Sequence, residues 1–270
     1  MRTQLTTIVL SGALLLAGTA SSTSAAILNE NFTTAAGWTK NNGDALGGDA
    51  FLATSYDLNQ SGQADPFWYG APALPAPVAN QNLLVLGNVS VKKDLGQTLT
   101  AGWTMDVHVL SNNFSRAQEM ALVDSSGNGY GVMWNTAGAP ALYGLVSIVK
   151  VTAWTDNSYV NYSPLAESLG NHDVTGYDVT NTALGAVTLD STFRGFAELT
   201  LSRQPDGTLT LWEDGKQLLT TSDTSYTDFS RVVLGGNTFA FYDSLSVAVP
   251  EPTLGLLGLA SFWILRRRCR

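Results

Sequence analysis

Strict alternation of apolar and polar residues, interrupted by Asp-Gly turns, most narrows what this chain can fold into. In WTMDVHV, Trp103, Met105, Val107 and Val109 fall on one face, and Thr104, Asp106 and His108 on the other. In FAELTLS, Ala197, Leu199 and Leu201 alternate with Glu198, Thr200 and Ser202. A period of two places successive side chains on opposite faces, which is the pattern of a half-buried strand. Pro205-Asp206-Gly207 joins the 196–203 strand to TLTLWE, and Asp214-Gly215 joins that strand to KQLLTT. Asp-Gly between alternating runs specifies a hairpin. Further strands are expected at 82–87, 90–94, 117–123, 129–135, 144–153, 231–235 and 238–247. No long amphipathic helix and no fixed-period repeat stand out. Many antiparallel strands with Gly-rich turns predict an all-β fold: a two-sheet antiparallel β-sandwich or jelly roll. The Pro-rich stretch 63–80 and the polar stretch 155–190 are expected as loops, and long loops often carry binding residues.

The chain has 270 residues and a net charge of −8. Arg2, Arg266, Arg267, Arg268 and Arg270 lie at the ends, so residues 27–252 keep nine basic residues against all 22 acidic ones, a net −13. No basic stripe is available for phosphates, which argues against nucleic acid as a partner. The only cysteine is Cys269, so the body holds no disulfide and no Cys-based zinc site.

Both ends read as addresses. MRTQLTTIVLSGALLLAGTASSTSAA has an arginine, an apolar run from Ile8 to Gly18, and small residues ending in Ser24-Ala25-Ala26. This is the pattern of a secretory signal peptide, residues 1–26, with a signal helix and cleavage between Ala26 and Ile27. At the other end, Thr253 to Leu265 gives thirteen residues without a charge, short of the ~20 that a free-standing span needs. Hydropathy alone leaves a core helix, a marginal span or a processed signal. The flanks decide: Arg266, Arg267 and Arg268 follow at once, such a cluster stays on the cytoplasmic side, and with an exported body this leaves the body outside and its tail held at the membrane.

Val249-Pro250-Glu251-Pro252, a Leu/Gly-rich run and a terminal Arg cluster resemble the PEP-CTERM sorting tail of bacterial exported proteins. The resemblance covers 249–270, with a shorter apolar helix than that family usually shows. It implies recognition by an exosortase, a membrane cysteine transpeptidase-like enzyme, and cutting near the motif. The implied course is transient membrane tethering, then the cell surface or extracellular matrix. The body, 27–248, resembles the concanavalin A-like (laminin-G-like) sandwich. ILNENFTTAAGW stands as its opening strand, FRGFAELTLSRQPDGTLTLWEDGKQL as its central hairpin series and NTFAFYDSLSV as its closing strand.

Asp243 falls in the same phase as Phe239, Phe241, Leu245 and Val247. A buried carboxylate there needs donors or a cation. Backbone hydrogen bonds, or a bulge that turns it outward, would serve. So would a structural Ca²⁺, which takes carboxylate oxygens, with Glu30 and the NNGDALGGD loop (Asp44, Asp49) completing it. Trp68 and Tyr69 in the Pro-rich loop, and Trp134 in the middle strands, are candidate stacking faces for sugar rings; core packing or loop anchoring is the bland alternative. Tyr130, Tyr143 and Trp154 belong to the same group. Catalysis has thin support. No Glu-x-Asp-x-Glu run places carboxylates on one strand face, and no G-x-S-x-G or H-E-x-x-H motif occurs. Asp106 and His108 share a strand face, more often a solvated one. The expectation is therefore a carbohydrate-binding, adhesion or structural module with extracellular polysaccharide as its partner. The alternative is a glycan-active hydrolase or lyase.

Overall fold

The two Asp-Gly turns close as their chemistry dictates. Asp214 (φ 47°) and Gly215 (φ 75°) both adopt left-handed backbone, which a two-residue hairpin turn demands and which Asp and Gly tolerate. The hairpins they build extend into two antiparallel sheets. The computed structural model describes residues 24–40, 42–48, 50–54, 82–87, 89–100, 102–111, 117–135, 145–152, 154, 180–188, 195–237 and 240–250.

These residues form β1 (Ser24–Glu30), β2 (Thr39–Lys40), β3 (Ala50–Thr54), β4 (Asn82–Leu86), β5 (Val89–Leu99), β6 (Trp103–Ser111), β7 (Ala117–Val123) and β8 (Gly129–Asn135). There follow β9 (Leu145–Thr152), β10 (Thr180–Thr188), β11 (Gly195–Arg203), β12 (Thr208–Glu213), β13 (Lys216–Ser222), β14 (Phe229–Asn237) and β15 (Ala240–Pro250). One sheet runs β13-β12-β11-β6-β15-β4-β3, with β1 also on β15, and the other runs β10-β9-β8-β7-β14-β5-β2. Every pairing is antiparallel. The chain is an all-β two-sheet sandwich.

The inward phases of both sheets meet in one core. Trp103, Met105, Val107, Leu199, Leu201, Leu209 and Leu211 come from the first sheet, and Met120, Leu122, Tyr130, Val132, Trp134 and Ile148 from the second. Each such side chain contributes about 1.5–3 kcal/mol by leaving water. Tyr242 is fully buried and points its hydroxyl at the carbonyls of Gly235 (2.6 Å) and Glu119 (3.0 Å), so its polar end is satisfied across the two sheets. Burial, the largest influence, drives its pKa far upward, and it stays neutral.

Three expectations change. Residues 180–188, read as part of one long loop, form β10. Its register breaks between Ala183 and Gly185, and that slip hides the period of two. The strand expected at 238–247 runs on as β15 to Pro250, opposite Ser24, where a missing N–H costs little. Asp243 does not share the core phase. A register shift between Tyr242 and Ser244 inserts one residue, so Ala240, Tyr242, Leu245 and Val247 face the core while Asp243 turns outward. Residues 63–80 and 155–179, and both terminal helices expected from the sequence, lie outside the described residues.

Candidate functional site

The outer face of the β13-β12-β11-β6-β15 sheet is a polar field, assembled by register. Trp212 stands opposite Thr200, Thr200 opposite Asp106, and Asp106 opposite Ser246. The line continues to Gln217 on β13 and Asn29 on β1. Adjacent strands lie ~4.8 Å apart, so this row of amide, indole, hydroxyl, carboxylate, hydroxyl and amide crosses the sheet at right angles to the strands. Thr200 Oγ1 donates to Asp106 Oδ1 at 2.6 Å, and Ser246 Oγ donates to Oδ2 at 3.1 Å. Both oxygens of Asp106 are thereby held in place.

Parallel rows lie on either side. One carries Thr220, Thr210, Ser202 and Thr104 in register. Gln217 Nε2 donates to Thr220 Oγ1 at 3.1 Å, and Thr220 Oγ1 donates to Thr210 Oγ1 at 3.4 Å. Ser202 is only 6 % exposed and its Oγ has no hydrogen-bond partner among the described residues. The other row pairs Glu198 with His108. Here His108 Nδ1 lies 2.7 Å from Asp243 Oδ2, and Asp214 Oδ1 accepts the Glu198 N–H at 3.0 Å. The hydrogen bond to Asp243 outweighs opposing burial and raises the His108 pKa above 6.5, and the charges of Asp243, Glu198 and Asp214 add to the rise.

A second polar cluster ties the sheets together where β11 and β13 end. The Tyr130 hydroxyl donates to Asp223 Oδ1 at 2.5 Å and accepts the Tyr226 N–H at 3.0 Å. Lys150 Nζ reaches Asp223 Oδ2 at 3.3 Å and Ser225 Oγ at 2.5 Å. The Arg203 guanidinium packs over Tyr130 (5.9 Å) and Phe229 (5.4 Å) and donates to the Tyr226 carbonyl at 3.1 Å. Burial and the bond to Asp223 push Tyr130 up to about 12. Burial also opposes ionisation of Asp223, but the bonds from Tyr130, Ser225 and Lys150 prevail and draw it down to about 2. The cluster joins core side chains of the two sheets, and its work is cohesion.

The residues singled out from sequence scatter. Trp134 is fully buried, stacked edge-on against Tyr242 at 6.4 Å. It is a core residue and not a sugar platform, because β8 turns Tyr130, Val132 and Trp134 inward together. Tyr130 is corrected likewise, and Trp154 is buried against Val123, Val149 and Val151. Asp243 and Glu30 share no cation site. Asp243 bonds His108 on the outer face, whereas Glu30 pairs with Lys93, which lies on β5 of the opposite sheet. Asp44 is bonded to Asn42. No group of three or more His, Cys, Asp or Glu placed to hold a metal occurs among the described residues. These residues do not fit the expected calcium. Ala26 and Ile27 lie on β1, whose register breaks between Ala26 and Leu28, and Val249 and Pro250 end β15. Trp68, Tyr69, Asp49, Tyr143, Glu251, Pro252, Arg266, Arg267 and Arg268 lie outside the described residues. Trp212 was missed, although TLTLWE puts it in phase with Thr208 and Thr210, opposite the core residues Leu209 and Leu211.

No family model and no curated protein matches this chain. Solved structures similar to it include the globular domain of T. cruzi calreticulin, 10 % identical, with a TM-score of 0.49 over 90 % of this chain and 95 % of that one. The carbohydrate binding module CBM66 from Bacillus subtilis is 9 % identical, with a TM-score of 0.43 over 77 % and 92 %. The Caenorhabditis elegans galectin LEC-6 is 9 % identical, with a TM-score of 0.38 over 58 % and 88 %.

Proposed function

We propose that this chain is an exported bacterial surface or matrix protein whose sandwich binds carbohydrate on the outer face of its β13-to-β15 sheet. The row from Gln217 through Trp212, Thr200, Asp106 and Ser246 to Asn29 carries the reading. A sugar ring presents a C–H face that stacks on an indole, and hydroxyls that pair with carboxylates and amides. The row offers both, side by side, on strands that fix their spacing. Export and sorting rest on the two terminal sequences: the signal pattern ending at Ala26, and the Val249-to-Pro252 motif with its arginines, which an exosortase would process. Extracellular polysaccharide is the fitting partner.

Affinity electrophoresis of residues 27–250 through gels cast with polysaccharides tests the binding. Retardation is expected, and Trp212→Ala should abolish it without moving Tm. Retardation unchanged in that variant would sink the assignment of this face. A hydrolytic role is the second reading, favoured by the His108–Asp243 pair. It predicts release of reducing ends from a polysaccharide, lost in His108→Gln.

A further inference from the structure

We propose that Asn42 is a modification site, deamidating to aspartate and isoaspartate while the chain is folded. The sequence has two Asn-Gly pairs, Asn42-Gly43 and Asn128-Gly129, and the fold treats them oppositely. A glycine carries no Cβ to shield its own nitrogen or to restrict its backbone, so that nitrogen can attack the Cγ of the asparagine before it. A C–N bond forms and closes a five-membered imide, and the Cγ–Nδ2 bond breaks. The proton given up by the glycine nitrogen passes through solvent to the departing ammonia. Water then opens the imide at one carbonyl to give aspartate or at the other to give isoaspartate. Water is the only co-reactant.

Asn42, Gly43 and Asp44 are exposed, in the turn between β2 and β3. Gly43 has a φ of 89°, and a Cβ there would meet nothing within 4 Å, so no packing pins this peptide. Asn42 Oδ1 accepts the Asp44 N–H at 3.0 Å, and Asn42 Nδ2 donates to Asp44 Oδ2 at 2.7 Å. The first bond bends the carboxamide back along the main chain toward the Gly43 amide. It also stabilises the charge that gathers on that oxygen during attack. The Gly43 N–H donates to the Lys40 carbonyl at 2.9 Å, an exposed turn bond of the kind that opens at little cost. Asn128-Gly129 is the internal control. Gly129 is buried in β8, paired to Val123 on one side and Val151 on the other, and a Cβ there would collide with the Leu122 carbonyl. The Asn128 N–H, carbonyl and Nδ2 all bond Asp124, at 2.8, 2.8 and 3.3 Å. Ring closure at that pair requires the sheet to open. At Asn42, conversion adds a negative charge beside Asp44, and isoaspartate inserts a methylene into the main chain. The Lys40 N–H donates to the Asp44 carbonyl across this turn at 2.8 Å, so the insertion loosens β2 at the edge of its sheet.

The test ages the full chain in mildly alkaline buffer, folded and in urea. Peptides spanning both sites are then sequenced by electron-transfer mass spectrometry, which separates aspartate from isoaspartate. In the folded sample Asn42 should gain a single mass unit while Asn128 stays intact, and in urea both should convert. The Lys40 amide should exchange faster with solvent in the converted fraction. Gly43→Ala should slow conversion of Asn42 about tenfold, a barrier about 1.4 kcal/mol higher, and Asn42→Gln should leave position 42 unconverted. An Asn42 that stays intact in the folded chain, or converts there no faster than Asn128, would overturn the proposal. An undiminished rate in Gly43→Ala would also overturn it, because the nitrogen of residue 43 would then not be the attacking group.

Discussion

Trp134 and Trp212 both sit in alternating strands, and only the direction of the phase separates a core indole from one on the outer face. Trp134→Ala should cost about 3–5 kcal/mol in urea unfolding, because it empties a fully buried site against Tyr242. Trp212→Ala should change unfolding little and binding much. Two titrating side chains set pH windows of opposite sense. Asp223 has its pKa lowered from 3.8 to about 2, so its contribution is present above 3.8 and is lost as pH falls toward 2. In Asp223→Asn the acid limb of Tm against pH should flatten over that interval. His108 is raised above 6.5 by Asp243, so its contribution is full below 6.5 and disappears as pH climbs through the raised value. Asp243→Asn should remove that alkaline loss, and a loss that persists in the variant would show that another group titrates.

Strands were legible where alternation ran unbroken, as in β6, β11 and β12; an inserted residue hid β10 and, in β15, left the strand legible but its facing misread. The bulge at Asp243 exchanges the faces of a single strand midway, so the carboxylate that reads as in phase with Phe241 and Leu245 leaves the core face, stays buried and takes His108 as its partner. The same insertion parts Asp243 from Glu30, the pair expected to share a calcium, and chelation by EDTA should leave Tm unchanged in the wild type and in Asp243→Asn alike. The cross-strand row through Trp212 was unreadable for another reason. It is a product of several registers, and register is fixed by pairing rather than by any one strand's sequence. At the edge of the sheet, β1 has its irregularity at Ile27, with Ala26 opposite Ala248 and Leu28 opposite Val247. Cleavage after Ala26 would remove the half of β1 beyond that break and keep Leu28–Glu30 paired with Leu245–Val247. N-terminal sequencing of exported protein should start at Ile27; a start upstream of Ser24 would contradict the signal-peptide reading.

At the scale of the whole molecule, the first strand and the last are neighbours, and the last lies inside the sheet. β15 pairs with β6 on one side and with β4 and β1 on the other. Contacts of such long sequence separation slow folding to the millisecond-to-second range, and they make the fold depend on its final strand. Tyr242, Leu245 and Val247 enter the core from β15. Losing a side chain of this class costs about 2–5 kcal/mol, so losing all three exceeds much of the roughly 5–15 kcal/mol that holds a typical domain together. Truncation after Pro250 should therefore leave Tm and protease resistance unchanged, whereas truncation after Asn237 should abolish cooperative melting by circular dichroism. The contrast bears directly on sorting. If truncation after Pro250 leaves the sandwich folded, the proposed cutting at the Pro-Glu-Pro motif would release it intact. A protein that unfolds when shortened to residue 250 would make the tail part of the fold and would end that account.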